Sequence, residues 1–246
     1  MGLSPRTRTL LRLLAFQGSW NYERMQGVGM AWASLPLLEG LARSEPARHR
    51  EAVGRASHFF NANPFLAGAA VGAAAREEHD GAPGVRVERL RVALCGPLGA
   101  LGDQLFWLGT VPGLAAAGLI AVALGAGWWA PVLVVVLHSV LRLAVGSWAL
   151  TLGLTHGTAV GGAIQSSWLP QGIEWGGRIA AVLLGLAIPL VAAFLLDSAP
   201  ISRRWLAVAL ALALYRLSGR VGGRLSPVEL TLVAMALVLL WHWSTT

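Results

Sequence analysis

The sequence predicts an all-α integral membrane protein, in which N-terminal amphipathic helices lead into four to five transmembrane or re-entrant helices. Three observations carry that prediction. Only 13% of the 246 residues are charged while 55% are hydrophobic, and the mean hydropathy is +0.61; such a balance belongs to chains with long apolar segments. After residue 91 the apolar runs approach the roughly 20 residues that cross a hydrocarbon core. Eleven tryptophans stand against two tyrosines, and Trp128-Trp129 and Trp241-His242-Trp243 sit at ends of apolar runs, where indole rings settle at the headgroup level.

The net charge of +7 comes from nineteen basic residues, all arginine. They flank apolar segments and form no zinc-finger, RNP or basic-helix pattern, so they read as membrane-surface anchors and no nucleic acid partner is expected. The single cysteine, Cys95, excludes an intramolecular disulfide and a cysteine-rich metal site. No metal or cofactor is expected, and the N-terminus has no apolar stretch ending in a signal-peptide cleavage site.

Three regions follow from the patterning: 1–91 amphipathic or interfacial, 92–160 with a Gly-Pro-Gly-Asp re-entrant motif and transmembrane helices, and 161–246 with C-terminal transmembrane helices. Residues 1–91 hold twelve arginines and eight acids, and none of their apolar runs is long enough to span. Thr9 to Met25 reads as one amphipathic helix, with Leu10, Leu13, Leu14 and Gln17 on one face. Gly27-Val28-Gly29 breaks or bends it ahead of an apolar helix from Met30 to Leu41 that contains Pro36. Ser44-Glu45-Pro46 is a helix start with Ser44 as N-cap. Asn63-Pro64 repeats the signal before an Ala/Gly-rich helix whose end, Glu77-Glu78-His79-Asp80, reads as solvated. Gly81-Ala82-Pro83-Gly84 is a turn, and Val85 to Leu94 a short charged helix. The arginine excess places this third of the chain on the cytoplasmic side.

Leu94 to Trp107 sets Asp103, Gln104 and several glycines at the edge of an apolar run to about Gly127. Loosened backbone persists at membrane depth only against protein or in a watered cavity, and a carboxylate is costly there. Asp103 therefore marks an inward-facing polar site, or else caps a helix at the surface. Gly109, Gly113, Ala117, Ala121 and Gly125 form a smooth stripe suited to close helix packing. Pro131 starts a span to about Leu154, interrupted by His138, Ser139 and Arg142; Arg142 either lines a pathway or forms an ion pair, with Asp103 the candidate partner. Thr155 to Trp175 is a polar link, and Gly176 to Leu196 the next span. Asp197 to Arg204 connects to Trp205–Leu217, too short to cross upright, and Val228 to Trp243 closes the chain.

Three blocks carry a family resemblance: Phe16-Gln17-Gly18-Ser19-Trp20-Asn21-Tyr22-Glu23-Arg24-Met25-Gln26; His58-Phe59-Phe60-Asn61-Ala62-Asn63-Pro64 with Ala75-Arg76-Glu77-Glu78 beyond it; and Gly96-Pro97-Leu98-Gly99-Ala100-Leu101-Gly102-Asp103-Gln104-Leu105-Phe106-Trp107. In order and spacing they resemble the IID subunit of the mannose/fructose/sorbose-type sugar phosphotransferase system, over roughly residues 10–160. The resemblance implies a multi-pass protein of the bacterial inner membrane. It implies pairing with a IIC subunit to carry a hexose inward while cytoplasmic IIB, supplied by IIA, phosphorylates it. It further implies a trimer of IIC–IID heterodimers, and a subunit with no phosphorylated residue of its own. Gln104 stands where the family usually has proline, Ala62 where it has threonine, and Ser139 where it tends to have asparagine. The polar connection before the last apolar pair is short. These departures bear on sugar specificity and on docking of the cytoplasmic components.

Asn21, Glu23, Arg24 and Gln26, with Asp103 and Gln104, are the candidate substrate-binding or IIC-interface residues, because sugar hydroxyls are held by carboxylates and amides. The first group serves equally as a buried hydrogen-bond network. Arg142 and His138 are the candidate pathway or ion-pair residues. His58, beside Phe59-Phe60, reads as a packed histidine, and Asn61 and Asn63 as turn and cap residues. No catalytic residue is assigned, since no nucleophile–base motif occurs. Besides a transporter subunit, a degenerate IID-like scaffold or regulator that moves no sugar fits the same pattern.

Overall fold

The structure, a computed structural model, describes residues 2–196; the expectations for Asp197–Arg204, Trp205–Leu217 and Val228–Trp243 lie outside the described residues. The described elements are helical: α1 (Pro5–Leu14), α2 (Gly27–Ser44), α3 (Pro46–Ala56), α4 (Ala67–His79), α5 (Gly84–Asp103), a π-helical segment (Gln104–Thr110), α6 (Val111–Ala123), α7 (Trp129–His156), a 3₁₀ turn (Gly157–Ala159), α8 (Val160–Gln165) and α9 (Leu169–Leu196). Three stretches, Gly84–Ala123, Trp129–Gln165 and Leu169–Phe194, are long and apolar enough to cross a membrane. Apart from Gln171 and the Glu174–Arg178 pair near the start of α9, the large exposed side chains of α7 and α9 are mostly apolar, Val135 and Leu133 on one, Val182 and Ile188 on the other. That is how helices solvated by lipid look.

The N-terminal third is not a separate layer. α4 packs against α7 along most of its length, and its residues Ala67 to Ala75 are all buried. Alanine gives α4 its helix propensity, and glycines let the two backbones meet. A Cβ on Gly153 would lie 2.2 Å from the Ala69 carbonyl oxygen, and one on Gly72 2.6 Å from that of Leu150. Close approach of this kind is how helices associate without a hydrophobic driving force between them. Neither region boundary is a break in the chain: α5 runs across 91/92, and 160/161 lies within α8.

Several sequence expectations need correction. The first helix stops at Leu14 instead of reaching Met25, because the chain then folds into turns closed by Asn21, a residue whose side chain competes for backbone N–H groups. Gly27 begins α2 rather than ending a helix. Ser44 is the last residue of α2, its hydroxyl donating to the Gly40 carbonyl (3.2 Å), and Glu45 precedes Pro46 as the cap position. No re-entrant break follows Gly96-Pro97. The helix continues through Pro97, and the irregularity comes later, as the π-helical segment from Gln104. There the Thr110 hydroxyl donates to the Leu105 carbonyl at 2.8 Å, giving the widened turn a partner. A helix of 40 residues spans roughly 60 Å, about twice a hydrocarbon core, so its charged first turns extend beyond the membrane. The small-residue stripe packs on α9 through Gly109 against Gly176 and Gly113 against Ala180; its next buried member is Ala116, not Ala117, because the helical repeat is 3.6 rather than 4. α9 begins at Leu169, ahead of the expected Gly176.

The end of α4 is solvated only in part, since His79 and Asp80 are exposed but the two glutamates are not. Glu77 and Glu78 are buried. Glu78 is gripped by Arg55 through bonds of 2.8 and 2.9 Å from Nη2 and by Arg48 at 3.4 Å. Glu77 accepts from the Thr158 backbone N–H (3.0 Å) and lies 3.4 Å from Arg86. Among the described residues no cluster of His, Cys, Asp or Glu could hold a metal ion.

α1 is strapped to its neighbours by arginines. Arg8 makes a two-pronged pair with Glu39 of α2 (2.6 and 2.7 Å), Arg12 donates to the Trp32 carbonyl, and Arg142 of α7 donates to that of Leu14 (2.8 Å). The hydrogen bonds from Arg8 hold the Glu39 carboxyl below its ordinary range. A depressed carboxylate contributes stability that is present above its unfolded value and lost as pH falls through its folded one. Protection of α1 amides in hydrogen exchange should therefore stay constant from neutral pH down to the usual glutamate range and fall progressively from there as pH drops further. Arg8→Ala should abolish that acid step, and a step retained in the variant would assign it elsewhere.

Candidate functional site

The three sequence blocks, far apart in the chain, meet at one cleft of about 530 Å³, inside the roughly 300–1,000 Å³ range of small-molecule sites. Gln17 and Gln26 come from the first block, Phe59 and Asn61 to Pro64 from the second, and Cys95, Gly96, Gly99, Ala100, Asp103 and Trp107 from the third.

The wall between Ser57 and Pro64 is held from three sides. Arg91, buried on α5, donates through Nη2 to the carbonyls of Ala56 and His58 (3.2 Å each) and through Nη1 to Glu88 (3.0 Å). The Gln26 backbone N–H donates to the Phe60 carbonyl (2.8 Å), and the Gln26 side-chain carbonyl accepts from the Ala62 N–H (2.9 Å). Because Oε1 is committed to that N–H, the two N–H donors of the Gln26 amide remain for whatever occupies the cleft. Asn63 accepts from the Phe65 N–H at 3.0 Å and donates from Nδ2 to Asp103 Oδ1 at 2.9 Å. Gly102 makes that bond geometrically accessible, since a Cβ there would fall 2.2 Å from the Asn63 Cβ.

The opposite wall is the face of α5 that carries Gly96, Gly99 and Asp103. A Cβ at Gly96 or Gly99 would meet nothing within 4 Å, so the floor beside the carboxylate is open. The surface therefore offers amide donors, one oriented carboxylate and a smooth floor closed at one end by Trp107. A hydroxyl both donates and accepts, so polyols match this arrangement.

Of the residues singled out from sequence, Gln26 and Asp103 line the cleft. Asn21, Glu23 and Arg24 do not. The Asn21 side-chain carbonyl accepts from the backbone N–H groups of Glu23 (3.1 Å) and Arg24 (2.8 Å) in a tight turn, so these residues do not lie on the expected Thr9–Met25 helix. The Glu23 side chain is 83% exposed and only 3.9 Å from Arg24. Gln104 is exposed outside the lining. Arg142 does not pair with Asp103: it donates to the Leu14 carbonyl and lies over the Phe65 ring at 5.1 Å. His138 meets the edges of Phe65 and Phe106 at 5.8 and 6.4 Å. These aromatic contacts surround the π-helical segment.

Among the lining residues not proposed as site residues are Gln17, Asn61, Asn63, Cys95, Gly96 and Gly99. A signal was present for the α5 wall: positions 96, 99 and 103 share a helical face, and no bulky side chain separates them. For Asn63 the turn reading was correct for the local backbone, its carbonyl accepting from the Leu66 N–H, and nothing local points its side chain across to Asp103.

A family model described as "PTS system mannose/fructose/sorbose family IID component" matches residues 4–243. The mannose-specific EIID component of Escherichia coli (strain K12) is 29% identical over 183 residues, covering 72% of this chain and 64% of that relative, so the match spans less than two thirds of the relative's length. The fructose permease IID component of Bacillus subtilis (strain 168) is 32% identical over 149 residues, 58% of this chain and 53% of that protein. Among solved structures, a chain described as "Structure of membrane protein" superimposes with a TM-score of 0.72 at 23% identity, covering 99% of this chain and 97% of that one. A chain from a cryo-EM structure of the mannose transporter ManYZ with microcin E492 gives 0.58 at 22% identity, covering 100% and 97%; both likenesses concern the fold. The family match runs through all three blocks that build the cleft, and on that ground the chain belongs to the IID component family of the mannose/fructose/sorbose phosphotransferase systems.

Proposed function

We propose that this chain is the IID half of a sugar-translocating pair. It joins a IIC subunit in the bacterial inner membrane as a multi-pass protein, within a trimer of IIC–IID heterodimers. A hexose crosses the pair and is phosphorylated by IIB, itself supplied by IIA. This chain supplies no phosphorylated residue to that chemistry.

One observation carries the reading: Gln26, Asn63 and Asp103, drawn from three separate blocks, converge on a single cleft with hydroxyl-matching chemistry. A scaffold that only bound a partner would need a packed apolar face, not an open floor at Gly96 and Gly99 beside an oriented carboxylate. The opposing feature is the short connection Asp197–Arg204, which favours a IID-like scaffold that moves no sugar. Uptake of labelled mannose, fructose and sorbose in cells expressing the IIA, IIB and IIC components, with and without this chain, separates the two. Accumulation of one sugar phosphate that depends on this chain is expected. Uptake unaffected by its removal, with the IIC complex still assembled, leaves only the scaffold.

A further inference from the structure

We propose that Asp103 makes the cleft selective for neutral sugars over their phosphate esters, so that the site which admits a hexose rejects the phosphorylated product. The proposal rests on the sugar-binding reading above and deepens it.

The charge distribution of the cleft carries the argument. Its lining comprises amides, aromatics, small residues and one ionisable acid, Asp103, with no arginine or histidine among the described residues that form it. That absence is notable in a chain with nineteen basic residues. The nearest buried cation in the wall, Arg91, has its guanidinium turned to Glu88 and to the Ala56 and His58 carbonyls, with Met30 Sδ at 3.4 Å from Nε. Four of its five N–H donors are engaged in this way, and the residue is buried outside the cleft lining, so it does not meet a ligand there. Asp103 in turn is fixed: Asn63 Nδ2 holds Oδ1, and Asn63 is itself 2% exposed and locked by the Phe65 N–H. The carboxylate cannot readily swing away from an unwelcome ligand.

Sites that take phosphate esters do the reverse, with arginine forks, lysines or helix N-termini aimed at the anion. Toward a free hexose the same lining is favourable, because Asp103 Oδ2 accepts from a hydroxyl while the Gln26 amide donates to another. Phosphorylation by IIB replaces one hydroxyl hydrogen by a phosphoryl group: the bond from phosphorus to its carrier atom on IIB breaks, an O–P bond to the sugar forms, and the hydroxyl proton passes to the carrier atom released. The ligand then carries about −1.5 to −2 charges. Facing a carboxylate fixed by Asn63, that charge is repelled, and binding weakens without any movement of the protein.

Cys95 supplies the readout. It is the chain's only cysteine, is half-buried and lines the cleft. In the assembled complex with a cysteine-free IIC, the rate of Cys95 modification by a maleimide is measured against rising mannose, fructose or sorbose, and against the corresponding phosphate esters. In the native chain a free sugar should protect at concentrations about tenfold or more below its ester. Asp103→Asn, which keeps an oxygen for Asn63, should bring the two concentrations together, and Asp103→Glu should restore the gap. A ratio unchanged by Asp103→Asn, or an ester that protects the native chain as well as the sugar, overturns the charge filter while leaving the sugar site standing. Protection by none of the six compounds overturns the sugar site and the filter with it.

Discussion

Replacing Glu78 by alanine is expected to cost about 3–5 kcal/mol of folding stability, the scale for removing one partner of a buried ion pair. The Glu78 side chain is 4% exposed and receives Arg55 and Arg48 together, whose own side chains are 17% and 22% exposed. The loss is therefore not only of hydrogen bonds: two largely buried guanidinium groups are left without their counter-charge. Arg48 also donates to the Ala82 carbonyl at 2.8 Å, which ties the turn after α4 to α3, so the variant should loosen the entry to α5. The control is Glu51→Ala. Glu51 also approaches Arg55, at 3.4 Å, but is 68% exposed, and removing it should shift stability by no more than about 0.5 kcal/mol. Thermal unfolding in detergent compares the two, and equal effects would mean that the burial of Glu78 has no energetic consequence.

Gly99→Leu is expected to lower uptake by roughly a hundredfold, the scale on which misplaced substrates lose rate, with no loss of folding stability. A Cβ at this position touches nothing within 4 Å, so the new side chain grows into open cleft rather than into packed neighbours. Within a helix, leucine is preferred over glycine by somewhat under about 1 kcal/mol, so the unfolding temperature should hold or rise. Gly161→Leu on α8 is the matched control. It too meets open space, lies outside the cleft lining, and should leave uptake unchanged. Loss of uptake in both variants would point to a general intolerance of bulk, and loss in neither would mean that no ligand passes the α5 floor.

Local chemistry was legible where a residue acts on its own neighbourhood. Apolar length found the three described stretches long and apolar enough to cross a membrane, Pro46 marked a helix start, and Asn63 was read as a turn residue, which it is. Two of the misreadings share a cause: a residue's fate is set by a distant partner. Glu77 and Glu78 look like a solvated helix end until Arg86, Arg55 and Arg48 are brought to them from other helices. Arg142 looks like a partner for Asp103 because both are charges within apolar runs, yet the fold delivers Asn63 to one and the Leu14 carbonyl to the other. Thr9 to Met25 was read as one helix on spacing alone, and here the cause is local: the side chain of Asn21 accepts from the Glu23 and Arg24 N–H groups and diverts that backbone into a turn. The π-helical segment has no local signature in Gln104–Thr110 beyond its position after Gly102-Asp103.

The central claim is that the cleft between the Ser57–Pro64 wall and α5 receives the transported sugar. Cryo-electron microscopy of the chain with its IIC partner in lipid nanodiscs, with and without the sugar identified by uptake, tests it most directly. Sugar density within hydrogen-bonding distance of Asp103 and Gln26, present only when sugar is added, is the predicted result. A cleft filled by IIC side chains in both maps, with the sugar held elsewhere, would contradict it.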